Sequence, residues 1–200
     1  MNVTTEELPC GRELTRLILM RPDALAASEC ERLIEIHRTF WPRKRVDHGG
    51  NHVLFGPDLR DYEPDGSQLS FVRRLAAAIT DEVEHFFQDD RIHLESVFIA
   101  AMIQGARQEL HADNEKYAEA GWVPNHSPDR DYTAIVYLNS DFGGGGLCFP
   151  QHRLCLKPEM GLLVAFPSTR YFVHEVHRVS AGTRYSMPLW FTHDSSRAVW

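Results

Sequence analysis

The 200-residue sequence has no apolar run approaching the ~20 residues that a membrane-spanning helix needs; "LILM", at 17–20, falls far short. Its largest basic cluster is "RKR" at 43–45 and its formal net charge is −7, so the basic stripe of a nucleic-acid groove is missing. That cluster reads as a solvated turn after Trp41 and Pro42. The N-terminal stretch carries acids such as Glu6 and Glu7 where a signal peptide carries basic residues, which makes a cytoplasmic location without membrane attachment the expectation. The four cysteines, Cys10, Cys30, Cys148 and Cys155, include no C-x-x-C pair, so neither a zinc ribbon nor a redox dithiol is indicated and reduced thiols are expected. Repeats, low-complexity segments and linkers are also lacking, which points to a single domain over 1–200.

What is present divides by composition. Residues 1–90 read mainly as helical support. "RPDALAASECERLIEIHRTF" spaces Leu25, Leu33, Ile36 and Phe40 for a helix that Pro22 starts and Pro42 stops. "SQLSFVRRLAAAITDEVEHFF" steps Leu69, Val72, Ala76, Ile79, Val83 and Phe86 by three and four, with Ser67 able to cap the start, so its stripe should pack on a sheet. From 91 onward, short apolar runs alternate with Gly, Pro, Asn and Asp: "HLESVFIAAMI", "YTAIVYLN", "GLCFP", "GLLVAFP", "YFVHEVHRV" and "TRYSMPLWFT". With no helical crossover between them, these strands predict an α+β, mainly β fold of jelly-roll type. Residues 91–200 would form its core and hold the site.

Within "LHADNEKY", His111 and Asp113 lie two apart, so on a strand end both side chains share a face and could hold one ion. Two histidines and a carboxylate on one side of a metal is the ligand set of non-haem iron(II) oxygenases. The second histidine would come from "HEVHRV", where His174 and His177 point to opposite faces of a strand. Arg184 follows His174 by ten residues, on the next strand, and could take an organic acid in a bidentate pair beside the metal.

The order His111-x-Asp113, then "YLNSDFGGGGLCFP", "GLLVAFPS" and "HEVHRVSAGTRYSMPLW", resembles the iron(II)- and 2-oxoglutarate-dependent dioxygenases of the prolyl 4-hydroxylase type over about 98–193. The resemblance implies a double-stranded β-helix with supporting N-terminal helices. It also implies iron(II), the co-substrate 2-oxoglutarate and dioxygen, and a hydroxylase acting on an unactivated C–H bond. The substrate would be an amino acid, a peptidyl residue or a related small metabolite. It assigns His111, Asp113 and His174 as iron ligands, Arg184 to the distal carboxylate of 2-oxoglutarate, Tyr137 to the same carboxylate, and Trp190 and Val176 to the co-substrate pocket. Ser186 shares a face with Arg184 and could assist. An Asp at 113 favours hydroxylation over halogenation, since related halogenases free that position for chloride. The alternative is a non-catalytic metal- or ligand-binding module of the same fold.

Two departures stand out. Met102 of "MIQG" occupies the place of a tyrosine common in that family, and "HRVSAG" puts His177 and Arg178 where relatives carry proline and a hydroxyl residue. The "GGGG" of 143–146 lacks the Lys-Ser/Thr of a phosphate loop and reads as a wide turn. Residues 114–130 are long, polar and Pro-punctuated, as a lid beside a metal would be, with Tyr117, Trp122, His126 and Arg130 as candidate substrate contacts.

Overall fold

The computed structural model describes residues 15–63 and 65–200. Cys10 and the acidic N-terminal stretch lie outside them. The strands, in chain order, begin with β1 (Leu19–Arg21), β2 (Val46–Asp47), β3 (Asn51–Phe55), β4 (His93–Ile103) and β5 (Gln108–His111). They continue with β6 (Glu115–Ala118), β7 (Gly121–Pro124), β8 (Tyr132–Tyr137), β9 (Gly143–Gly144) and β10 (Leu147–Phe149). The last are β11 (Leu154–Leu156), β12 (Leu163–Pro167), β13 (His174–Val176), β14 (Val179–Ala181) and β15 (Thr183–Thr192). Two long helices, α1 (Ala27–Lys44) and α2 (Ser67–Phe87), precede β4.

A seven-stranded sheet in the order β1-β12-β8-β15-β4-β3-β2 faces a four-stranded sheet in the order β11-β10-β13-β5, and every pairing is antiparallel. This is the jelly roll that the strand spacing predicts. β4 and β15 match their apolar runs residue for residue, because a long strand paired on both sides takes its limits from its own alternating pattern.

That alternation sorts two cores. Val97, Ile99 and Ala101 of β4, Val136 of β8, and Met187, Leu189 and Phe191 of β15 face the helices, where Leu33 of α1 and Leu75, Ala76 and Ile79 of α2 cover them. Met102, Ile135 and Tyr137, one step out of phase, face the small sheet with Phe149, Phe166 and Val176. The stripe read for α2 is the one that packs.

The helix ends differ from expectation. α1 begins at Ala27, not near Pro22, and the Ala26 N–H is satisfied by Glu29 Oε2 at 3.0 Å. It also runs through Pro42 to Lys44. A proline this close to the C-terminus costs one carbonyl bond, and Arg45, left-handed at φ 52°, closes the turn onto the Trp41 carbonyl. At α2, Ser67 is the first helical residue and not the cap. Asp65 accepts from the Ser67 N–H at 3.0 Å and Glu63 from the Gln68 N–H at 2.8 Å. Nor are residues 1–90 only helical support, because β1, β2 and β3 extend the large sheet at both edges. These strands are short, and "NHVLF" lacks a strict alternation of its own. β3 is held by its partner β4.

Candidate metal centre

Two strand ends and the turn that follows one of them converge at the mouth between the sheets. β5 ends at His111, β13 starts at His174 directly across from it, and Asp113 follows β5 with its N–H bonded to the Ser168 carbonyl at 3.1 Å. The His111 and His174 rings are 4.3 Å apart between centroids. His111 Nε2 lies 3.9 Å from Asp113 Oδ1 and His174 Nε2 lies 3.7 Å from Asp113 Oδ2. His177 is on the outer side, so the choice between the two histidines is made by the pleat.

Each imidazole is aimed by its other nitrogen. His111 Nδ1 donates to the Glu109 carbonyl at 2.7 Å and His174 Nδ1 to the Phe172 carbonyl at 3.0 Å, leaving both Nε2 lone pairs toward the centre. The Gln108 amide approaches His111 Nε2 at 3.0 Å and so marks that nitrogen as an acceptor. Asp113 is held at both oxygens, by Trp190 Nε1–H at 3.1 Å on Oδ1 and Thr133 Oγ1–H at 2.8 Å on Oδ2. Burial pushes the Asp113 carboxyl up, but the two imidazoles and these two donors outweigh it and the net direction is down. Burial drives His174 down to about 4, against the pull of Asp113, so at neutral pH its imidazole is a neutral ligand. The set fits a divalent ion of iron type: two imidazoles aimed by their Nδ1 bonds and one carboxylate oxygen on one side, all donor atoms within 4.8 Å of one another.

Deeper in the cavity sits Arg184, 3% exposed. Its Nη1 reaches Ser186 Oγ at 3.3 Å and Met102 Sδ at 3.5 Å, and its guanidinium carbon lies 4.9 Å from the centroid of the Tyr137 ring. No carboxylate pairs with it among the described residues, and its Nε makes no hydrogen bond. A buried guanidinium left unpaired is costly, so the site is built for an anion that arrives from outside, and a dicarboxylate such as 2-oxoglutarate fits. The Tyr137 hydroxyl is also buried without a hydrogen-bond partner, and burial raises its pKa. Gly145, at φ +64°, lets the wide glycine turn pass against this arginine, since a Cβ there would meet Arg184 Cδ at 3.0 Å.

The structure thus brings His111, Asp113 and His174 together, with Arg184, Ser186 and Tyr137 behind them. Val176 lines the same cavity, of about 390 Å³. Trp190 lies at the metal end, bonded to Asp113, and not beside Arg184. Thr133 was missed by sequence reasoning, although its two-residue phase with Ile135 and Tyr137 puts it on the pocket face. Asn51, whose buried Oδ1 is unpartnered in the cavity wall, gave no signal, since it enters from the N-terminal half.

Within the segment 114–130, residues 115–124 form a two-stranded hairpin, β6 with β7, and 125–130 are irregular. Tyr117 and Trp122 pack on each other with ring centroids 5.7 Å apart, away from the cavity, and Tyr117 is 72% exposed. His126 and Arg130 do line the cavity, and the Arg130 guanidinium stacks 4.3 Å over Trp190. Sequence reasoning expected reduced thiols; the structure instead joins Cys148 and Cys155 in a disulfide and leaves Cys30 free and buried. No C-x-x-C spacing announces that pair, because the β10–β11 register alone sets the two opposite each other.

Comparison with known proteins bears on the same residues. The model of the 2OG-Fe(II) oxygenase superfamily matches 97–192, which contains the triad and Arg184. Prolyl 3-hydroxylase 2 of Gallus gallus is 36% identical over 94 residues, covering 42% of this chain and 14% of that protein. The chain therefore spans about one seventh of that relative's length. Two solved structures share the fold. The viral collagen prolyl hydroxylase of Paramecium Bursaria Chlorella virus-1, in its 2OG complex, gives a TM-score of 0.64 at 18% identity, over 92% of this chain and 97% of that one. A prolyl hydroxylase from Trichoplax adhaerens, in complex with a hypoxia inducible factor oxygen degradation domain peptide fragment, gives 0.69 at 18% identity, over 94% and 89%. The motif order, the fold and the matched region 97–192 agree in making this chain similar to the 2OG-Fe(II) oxygenase superfamily.

Proposed function

We propose that this protein is a 2-oxoglutarate-dependent hydroxylase whose preferred substrate is a prolyl residue, free or within a peptide. The observation that carries the reading is the buried Arg184, without a carboxylate partner among the described residues, facing the same cavity as a convergent His111, Asp113 and His174. The substrate class is supported by the prolyl 3-hydroxylase relative and by the peptide-bound Trichoplax protein. An inert binding module has no observation in its favour.

When bound, iron(II) together with 2-oxoglutarate and dioxygen supplies the oxidising power that inserts oxygen into an unactivated C–H bond. The chain's own part is positioning. His111, Asp113 and His174 would hold the metal, and Thr133 and Trp190 prevent Asp113 from rotating away. Arg184, assisted by Ser186 and Tyr137, takes a carboxylate at the closed end of the cavity. Ile135, Met102 and Val176 wall this end against water, which strengthens the arginine–carboxylate attraction. At the open end, Phe98 packs on Trp190 with centroids 5.0 Å apart, an apolar platform on which a pyrrolidine ring can rest.

The test is an anaerobic titration of metal-free protein with iron(II) and 2-oxoglutarate, followed by the visible charge-transfer band of the chelate, then succinate release with proline-containing peptides. The band should require ~100-fold more 2-oxoglutarate in Arg184→Ala, the scale of losing one partner of a buried charge pair. A wild-type protein that shows no band would overturn the oxygenase reading. A band without succinate release on any prolyl substrate would overturn only the substrate class.

A further inference from the structure

On the outer face of the small sheet lies a second group of donors. β10 pairs with β11 so that Cys148 stands opposite Cys155, and with β13 so that Cys148 stands opposite Glu175. His177, just past β13, brings Nδ1 to 3.7 Å from Cys148 Sγ. Its Nε2 faces Glu175 Oε1 at 3.4 Å. The two sulfurs and one imidazole nitrogen all lie within 4.8 Å of one another.

The orientation of His177 points to a ligand. In the reduced protein, the Glu175 carboxylate 3.4 Å from Nε2 favours a proton there, which leaves the Nδ1 lone pair toward the thiolates. That is the carboxylate–histidine–metal arrangement of metal sites, in which the acid fixes the ring and raises its basicity. Cys148 is buried while Cys155 and His177 are exposed, so an ion can enter from solvent without strand separation. Three donors of Cys₂His composition leave a fourth position for water, and thiolate with imidazole selects a soft or borderline ion such as zinc over iron(II) or magnesium.

We propose that Cys148, Cys155 and His177, with Glu175 behind the imidazole, form a redox-gated zinc site distinct from the oxygenase centre. As the dithiol, the pair binds the ion; as the disulfide present in the structure, it cannot. Closing the gate takes a peroxide as oxidant. Each thiolate gives up one electron as the S–S bond forms, and the metal leaves with its oxidation state unchanged. The peroxide accepts two electrons and two protons and departs, for hydrogen peroxide, as two waters.

The test uses Cd(II) as the probe, on protein reduced with a phosphine, because thiolate-to-cadmium charge transfer absorbs in the ultraviolet. The His111, Asp113 and His174 centre has no thiolate and stays silent. Reduced wild type should develop the full band by two equivalents of Cd(II), one for each of the two centres. The band should vanish after peroxide treatment and return on re-reduction, in arms that need no substitution. Cys148→Ser and Cys155→Ser should each weaken binding strongly, and Glu175→Gln should weaken it about 10- to 100-fold. No band in reduced wild type overturns the proposal, as does a band unchanged by Cys155→Ser, which would belong to Cys10 or Cys30. A band that survives peroxide overturns the gating.

Discussion

The two faces of β4, β8 and β15 are made by the same backbone and do opposite things. Toward the helices, Val97, Ile99, Val136, Met187 and Leu189 are closed off by apolar side chains, and their burial stabilises the fold with nothing left to satisfy. Toward the small sheet, the alternate residues include Thr133, Arg184, Ser186 and Trp190; the first three are polar and buried, and Thr133 and Trp190 both donate to the Asp113 carboxylate. One face holds the protein together. The other holds groups at a cost that only a ligand offsets, and it can do so because the helix-covered face supplies the rigidity.

The largest effect should come from deleting the carboxylate of the triad. Asp113→Ala is expected to lower iron(II) affinity by more than ~1000-fold, about 4 kcal/mol, with the thermal melt of the metal-free protein little changed. Equilibrium binding monitored beside calorimetry checks both halves. The mirror experiment is Leu75→Ala on α2, 1% exposed, which should cost about 3 kcal/mol of stability in a urea titration. Iron affinity of the protein that remains folded should not move; if it fell with stability, the two faces would not be separable.

Thr133→Val keeps the volume and removes one of the two donors to Asp113. It should weaken iron by about 10- to 100-fold, roughly 2 kcal/mol, while Trp190 still holds the other oxygen. Per unit of pH, the smallest effect compares two histidines. His37, on the helix side, is pushed down to about 4, first by burial and then by the nearby His52 and Arg38, as burial pushes down His174 on the pocket side. Between pH 6.5 and about 4 the unfolded chain carries protons at both that the folded, metal-free chain does not. Stability is therefore complete above pH 6.5 and falls as pH drops, by at most ~1.4 kcal/mol per unit for each. His37→Gln should remove about half of that slope in urea titrations run across the range, and saturating metal should suppress the share belonging to His174.

Legibility in the sequence tracked how local each signal is. The α2 stripe and the limits of β4 and β15 follow from periods of 3.6 and 2 within one segment, so they could be read directly. The cap of α2 could not, because Ser67 fits the residue type while Asp65 and Glu63 have the geometry. β3 became a strand because β4 offers it partners, and residues 115–124 became a hairpin whose aromatic pair turns from the cavity. Trp190 was picked out for the pocket, but its bond to Asp113 crosses 77 residues of chain.

By itself the sequence determined the chemistry available: a histidine and an aspartate two apart, a histidine much later, an arginine ten beyond it, and strands of the right period to carry them. Those are properties of neighbouring residues, written in type and spacing. The tertiary structure alone decided which partner each group meets. It set Thr133 and Trp190 on the two oxygens of Asp113, left Arg184 without a carboxylate among the described residues, and put Cys148 across from Cys155 with His177 alongside. Each of these depends on register between strands far apart in the chain, and a shift of one residue would turn every side chain to the opposite face.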